Sequence, residues 1–254
     1  MSCTSLLKSD LKLNIILNLL DGGKKVAVLE QSSQTRITTI SHVLKELLEM
    51  QLVTKTGSEY KLTTLGIIEA QICKKHMQLC NVLEKYKDFW LTHDISFIPP
   101  DLMVSLGALE KSVLITSTEV DLYRVHENFI QFLRSAKTIY GISPIFHQDF
   151  VTTIKEVLDN GGKIQLVVTS RVLEKIEQTD KDMLNKYVSE GSLQIFLNEN
   201  LGIALTLTEK ELSFGLFSLS GKYDNNNDLI CNENAGYEWG MQLFRHIIDK
   251  SVKM

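Results

Sequence analysis

The chain has 254 residues, 44% hydrophobic and 23% charged, with a formal net charge of −4; that composition suits a globular protein with enough apolar side chains for a sizeable core. Its longest apolar run, LNIILNLL, is broken by Asn14 and Asn18 and falls short of the roughly 20 residues that cross a bilayer, which excludes a membrane-spanning protein. Four sparse cysteines (Cys3, Cys73, Cys80, Cys231) form no CxxC pair, and the start MSCTSLLKSD has neither a basic flank nor a cleavage site. Together these predict a cytoplasmic location.

The charge is unevenly spread: residues 1–90 carry 12 Lys/Arg against 9 Asp/Glu, whereas residues 91–254 carry 15 against 22. A mildly basic module joined to an acidic one hints at a polyanion partner at the N-terminal end.

In chain order, Leu13, Ile16, Leu17 and Leu20 mark one buried helical face, stopped by Gly22-Gly23. A short second helix is expected from Lys24 or Lys25 to about Gln31, burying Val26 and Leu29, with a turn at 32–35. The third helix should bury Ile37, Ile40, Leu44, Leu47 and Leu48, which turns Thr38, Thr39, His42 and Lys45 outward. After it Leu52-Val53 opens a strand, Thr56-Gly57-Ser58 can turn, and Glu59-Tyr60-Lys61-Leu62 returns as a hairpin. Three helices and a hairpin form a winged helix-turn-helix, which sets the third helix into a DNA major groove and the hairpin along the phosphates. The candidate DNA contacts are Arg36, Thr38, Thr39, Ser41, His42 and Lys45, with Lys55 and Lys61 in the wing. Read bluntly, the same residues could be an ordinary solvated face. The ordered set of elements favours double-stranded DNA as partner.

The stretch KELLEMQLVTKTGSEYKLTTLG resembles the helix-wing-helix segment of bacterial and archaeal winged-helix repressors over about residues 5–70. From Leu65 to Trp90 nothing breaks a helix after Gly66, and Ile68, Ile72, His76, Leu79, Leu83, Tyr86 and Trp90 recur every three or four residues, a stripe that can pair two protomers into a homodimer. Cys73, His76 and Cys80 share this helix, but without a fourth ligand they read as packing groups, so no metal site is expected.

The segment THDISFIPPDL, residues 92–102, reads as a linker. The organisation predicted is a winged-helix domain at 1–66, a connecting helix at 67–91 and an α/β regulatory domain at 92–254. In the last, strands are expected at 138–142, 163–169, 193–197, 202–208 and 211–219, with helices at 149–160, 171–189 and 235–251, the final helix burying Tyr237, Met241, Phe244 and Ile248. The late strands follow one another too closely for helical crossovers, so the sheet is mixed and the fold an α/β sandwich. The stretches YGISPIFHQDF, LVVTSRVLEKI and FGLFSLSGKYDNNNDLICNENAGYEWGMQLF resemble archaeal winged-helix regulators of the methanogenesis regulatory protein family. That resemblance implies a C-terminal domain that senses a small molecule or supports dimerisation, distantly similar to the phospholipase D sandwich.

Catalysis finds little support. Phospholipase D chemistry needs H-x-K-x4-D, and none of the six histidines has Lys two positions on; P-loop, GxSxG, HExxH and GxGxxG are also missing. No cofactor is implied. A phosphodiesterase-like or nuclease enzyme is the rival reading. Ligands in open α/β sheets bind beyond the carboxyl ends of strands, so Ser143, His147, Ser170 and Arg171 are the candidates for an effector site, Arg171 being suited to an anion. His147 beside Asp149 could serve as an acid–base pair, and Asp224, Asp228 and Glu233 lack the spacing of a calcium loop.

Overall fold

The computed structural model describes residues 3–254, with side chains from residue 5 onward, so Met1, Ser2 and the thiol of Cys3 lie outside the described residues. The chain divides into two compact units, Met1–Cys80 and Asn81–Met254.

The first unit opens with a short helix, α1 (Cys3–Leu7), not anticipated from the sequence. In α2 (Asp10–Asn18) the Ser9 hydroxyl caps the first turn by accepting from the Lys12 amide at 3.4 Å. The expected stripe is shifted. Leu13, Ile15, Ile16 and Leu19 are buried, while Leu17 and Leu20 pack only partly. α2 is covered from more than one side, and a single 3-10 turn at Leu19–Asp21 changes the helical period. Gly22, at φ +124°, then redirects the chain.

Lys24–Lys25 is not a helix start but a two-residue strand, β1. α3 (Val26–Ser33) buries Leu29 and ends at Gln34, and α4 (Ile37–Glu49) buries Ile40, Val43, Leu44 and Leu47. Ile37, expected inside, is 46% exposed; it is the first helical residue, and Val43, which the sequence reading omitted, closes the apolar face one turn and a half further on. β2 (Val53–Thr56) and β3 (Glu59–Leu62) pair antiparallel from Val53↔Leu62 to Thr56↔Glu59. That register leaves a two-residue loop with Gly57 at φ +61°. β1 adds to the other edge of β3, giving the order β1-β3-β2. Helices α2 to α4 and this sheet make a winged helix-turn-helix.

Thr63 fastens the wing to the next helix. Its hydroxyl donates to the Gln51 carbonyl at 2.7 Å and accepts from the Gly66 amide at 3.0 Å, so one side chain ties the pivot to the first turn of α5 (Thr64–Lys85). Gly66 is required there because a Cβ would run into the Leu52 carbonyl oxygen. The helix ends at Lys85 instead of reaching Trp90. The Tyr86 hydroxyl donates to the Ser112 carbonyl, Lys85 Nζ reaches the same oxygen at 2.7 Å, and Tyr86 leaves helical geometry.

The second unit contains α6 (Lys87–Thr92), α7 (Pro100–Met103), β4 (Val113–Thr116), α8 (Arg124–Arg134), β5 (Thr138–Ser143), α9 (Gln148–Asp159), β6 (Lys163–Val168), α10 (Ser170–Ser189), β7 (Leu193–Leu197), β8 (Ile203–Leu207), β9 (Leu212–Leu216), β10 (Asn227–Cys231), α11 (Asn234–Ile248) and β11 (Val252–Lys253). The eight strands run β11-β7-β6-β5-β8-β9-β10-β4. β5, β6 and β7 are parallel, as β-α-β crossovers require, and the remaining pairings are antiparallel. The sheet is mixed and sandwiched between helices. Ile139 packs with residues of α8, α9 and α10, whereas the next residue, Tyr140, meets Phe244 of α11 at a ring separation of 5.4 Å, so the two neighbours face opposite layers.

Five elements here, α7, β4, α8, β10 and β11, were not foreseen, and residues 92–102 are packed: Ile98 and Leu102 are buried, and the Leu102 carbonyl accepts from Trp239 Nε1 at 3.0 Å. In α11 the buried face is Gly236, Trp239, Gly240, Leu243, Phe244 and Ile247. Tyr237, Met241 and Ile248 are only half-buried. Gly236 and Gly240 let the helix lie close on Cys231, Leu207 and Leu212, which turns Trp239 inward against Phe214.

Candidate functional site

Thr38, Thr39, Ser41, His42 and Lys45 on α4 and Arg36 at its N-cap are all exposed, as are Lys55 and Lys61 on the wing. The ridge is organised from below. Glu46 pairs with Lys12 at 2.6 Å and with His42 Nδ1 at 3.1 Å, and the Lys12 hydrogen bond holds the Glu46 carboxyl below its ordinary range. Glu46 thereby fixes the imidazole on the outer face. On the wing, Lys55 Nζ lies 5.4 Å from the Tyr60 ring centre and Lys61 sits 3.9 Å from Glu59, so both ammonium groups keep a defined direction. Lys24 and Lys25, not singled out from the sequence, join this surface through β1, since Lys24 stands opposite Tyr60.

α5 shows a second kind of exposure. Ala70 and Cys73 are buried against the winged helix, while Leu65, Ile68 and Ile72 are 49%, 53% and 50% exposed at i, i+3 and i+7. Of the expected stripe, His76 and Leu83 are also exposed, Leu79 and Trp90 are half-buried and Tyr86 is buried. Cys73 is interior, whereas Cys80 is exposed with its sulfur 3.5 Å from His76 Nε2.

The second unit contains a cleft of about 410 Å³ bounded by α8, the C-terminal end of β5, the start of α9, the β8–β9 pair and the loop before β10. Ser143 and His147 line it. Ser170 and Arg171 do not: the Ser170 amide donates to Glu199 at 2.9 Å, its hydroxyl does so at 2.5 Å, and Arg171 is exposed at the start of α10. Among the described residues no Lys or Arg lines the cleft, so a phosphate or carboxylate would find no guanidinium or ammonium group in its wall.

His126 and Tyr223 do not stand out as site residues in the sequence, where Asp149 and Asp228 figure only as an acid–base partner of His147 and as a poor calcium ligand. His126 Nε2 lies 2.9 Å from Asp149 Oδ2, and His147 Nδ1 lies 3.6 Å from the same oxygen. Asp228 is 6% exposed, on β10 between β9 and the edge strand β4. Burial pushes its carboxyl up to about 6, against the lowering pull of the Ser213 hydroxyl and the nearby Phe214 and Leu229 amides. Ser213 donates to Oδ2 at 2.7 Å, and Oδ1 has no hydrogen-bond partner. Burial, with the neighbouring carboxylates of Asp228 and Asp224, also pushes the Tyr223 phenol well above its usual range. The ring fits over β9 because Gly215 has no Cβ. The Asn-rich loop is held by Asp224, which accepts from His93 at 2.9 Å, the Asn226 amide at 2.9 Å and Asn227 at 2.7 Å; these bonds outweigh burial and keep its carboxyl below the ordinary value.

A winged helix-turn-helix with an outward polar ridge, and an α/β unit with its own cleft, define a two-module chain. Family models described as the N-terminal and middle domains of methanogenesis regulatory protein FilR1 match residues 2–81 and 122–250, and the chain belongs to that family. It is 30% identical over 254 residues to the methanogenesis regulatory protein FilR1 of Methanothrix harundinacea (strain 6Ac), covering 97% of this chain and 56% of the relative. The chain thus spans little more than half of that relative's length. Among solved structures, the archaeal chromatin protein TrmBL2 aligns over 98% of both chains with a TM-score of 0.47 and 15% identity. The phospholipase D family member Nuc of Salmonella typhimurium aligns over 57% of this chain and 97% of its own, with a TM-score of 0.41 and 12% identity. Likenesses this loose carry no functional weight. No helix among the described residues is long and apolar enough to cross a membrane.

Proposed function

We propose that the protein is a DNA-binding transcription regulator, acting in the cytoplasm, whose winged helix contacts double-stranded DNA and whose α/β unit senses a small molecule. The observation that carries the reading is the ridge: Thr38, Thr39, Ser41, His42 and Lys45 are exposed along α4, with Arg36 exposed at its N-cap and a wing bearing Lys55 and Lys61. Cationic side chains there suit phosphates, and Thr, Ser and His suit base edges or phosphate oxygens. Family membership agrees with a regulatory role.

The sensing half rests on the cleft. A buried carboxylate oxygen without a partner costs about 1–3 kcal/mol, and a ligand that donates a hydrogen bond to Asp228 Oδ1 removes that cost. This replaces an anion held by Arg171 with a neutral or cationic donor as the favoured effector chemistry. Two copies pair along the apolar residues of α5, Leu65, Ile68 and Ile72, which would otherwise stay wetted. A coupling of about 1–3 kcal/mol between effector and DNA gives a roughly 5- to 150-fold change in affinity.

The test is fluorescence anisotropy with a generic mixed-sequence duplex at fixed salt. His42→Ala combined with Lys45→Ala should weaken binding about tenfold, the loss of one or two charge-assisted contacts. Undiminished binding by a variant of native circular dichroism would overturn the assignment of this face.

A further inference from the structure

We propose that His126, His147 and Asp149 bind a divalent transition-metal ion of the zinc or cobalt class in the wall of the cleft. One donor atom from each residue lies within 4.8 Å of the others. The separations from Asp149 Oδ2, 2.9 Å to His126 Nε2 and 3.6 Å to His147 Nδ1, bracket the edge of about 3.3 Å expected between ligands of a tetrahedral ion with metal–ligand bonds near 2.0–2.1 Å. Because the Nδ1 lone pair of His147 already accepts from the Asp149 amide, closing around an ion requires that cap to be given up or the ring to turn and present Nε2.

The donor set selects the metal class. Two imidazoles and one carboxylate suit zinc, cobalt, nickel or iron(II), whereas calcium and magnesium prefer all-oxygen shells. Three protein ligands leave coordination positions free, as in metal sites that take up a further molecule. A simple ion pair would account for His126 and Asp149 alone. His147 is placed by its cap on α9, and that placement brings its ring to 4.3 Å from that of His126, within reach of the same carboxylate.

Local structure holds all three in place. The Asp149 amide donates to His147 Nδ1 at 3.2 Å, which fixes the imidazole at the start of α9. The His126 ring stacks on Phe150 at 5.6 Å, which orients it from α8. Phe150, which meets both imidazoles, itself sits edge-on against half-buried Phe129, so the donors are anchored while remaining reachable: His126 is 27% exposed by side chain and Asp149 59%. Asp228, buried in the same cleft with an unpartnered oxygen, is an independent sign that the cleft is shaped for an occupant.

Equilibrium dialysis of the full chain against Co2+ and Zn2+, together with visible spectroscopy of the Co2+ form, tests the site without reference to DNA. The native protein is expected to bind one equivalent at this site and to show the intense visible bands of cobalt in a low-symmetry nitrogen and oxygen shell. His126→Ala should weaken Co2+ binding by about tenfold or more, as loss of even a supporting metal-site group does, and should bleach the bands. Asp149→Asn reads the same site should the first variant fail to fold. Combined His76→Ala and Cys80→Ser, which removes the exposed pair on α5, should leave cobalt binding unchanged. The proposal is overturned if the native chain takes up no metal, or if binding survives in both cleft variants and disappears with the α5 pair. Either failure leaves the DNA-binding reading standing, because the duplex assay does not depend on metal.

Discussion

The α4 ridge and the α/β cleft hold their polar groups in opposite ways. On the ridge each side chain is either hydrated or paired with a neighbour, as His42 and Lys12 are with Glu46, so an empty ridge costs the fold almost nothing. In the cleft, Asp228 is buried inside a sheet with one oxygen unpaired. Polar groups on a surface can be laid over a finished scaffold, whereas a polar group inside a sheet must find its partners within the fold or go without.

The largest effect that would break this comparison concerns Asp228. Its folded-state value of about 6 lies above the ordinary 3.8, so the folded chain holds the proton more tightly than the unfolded one. The resulting penalty is absent below the unfolded value of 3.8, grows as pH rises from there to the folded value of about 6, and is complete above it. Asp228→Asn should therefore raise stability by about 3 kcal/mol at pH 8, with the gain fading towards pH 4. Urea melts at several pH values measure this; parallel pH profiles for native and variant chains would show that the cleft is no more strained than the ridge.

Next in size is the scaffold under the ridge. Gly66→Ala places a methyl against the Leu52 carbonyl and should cost about 2 kcal/mol, read as a lower urea midpoint for the winged helix. A neutral outcome would mean that α5 and the wing are not locked by that close approach. Smaller still is the apolar stripe. Replacing both Ile68 and Ile72 by Asp should shift a monomer–dimer equilibrium towards monomer by about tenfold, the cost of desolvating charges at a packed seam, with little change in folding stability. Sedimentation that shows the native chain as a monomer would remove the dimer from the account.

Much of the fold was legible because its signals are local. The wing announced itself through Leu52-Val53, Gly57-Ser58 and the alternating return strand, and the β-branched strand at Lys163–Val168 through its flanking glycines. The elements that escaped carry mixed signals: β10 reads Asn-Asp-Leu-Ile-Cys, where a buried acid contradicts strand propensity, and β4 is four residues long. The face of α11 was misplaced because Gly236 and Gly240 bury backbone where an apolar pattern shows nothing. The ridge could be read from one helical period. The cleft could not: His126 and Asp149 are 23 positions apart, and Asp228 comes from a strand at the far end of the chain. Only β5, β8, β9 and two helix ends bring them together, and no spacing rule within a single element records such a meeting. The strand-end rule found Ser143 and His147 on that wall, but it also selected Ser170 and Arg171, which Glu199 and solvent occupy instead.

The central claim is that the α4 and wing cations meet phosphates. Duplex affinity measured across a range of salt concentrations tests it most directly. The account predicts a linear fall of log affinity with log salt, with the slope reduced by about one for each of Lys45→Ala, Lys55→Ala and Lys61→Ala. A flat salt response in the native protein, or a slope that none of the three replacements alters, would contradict it.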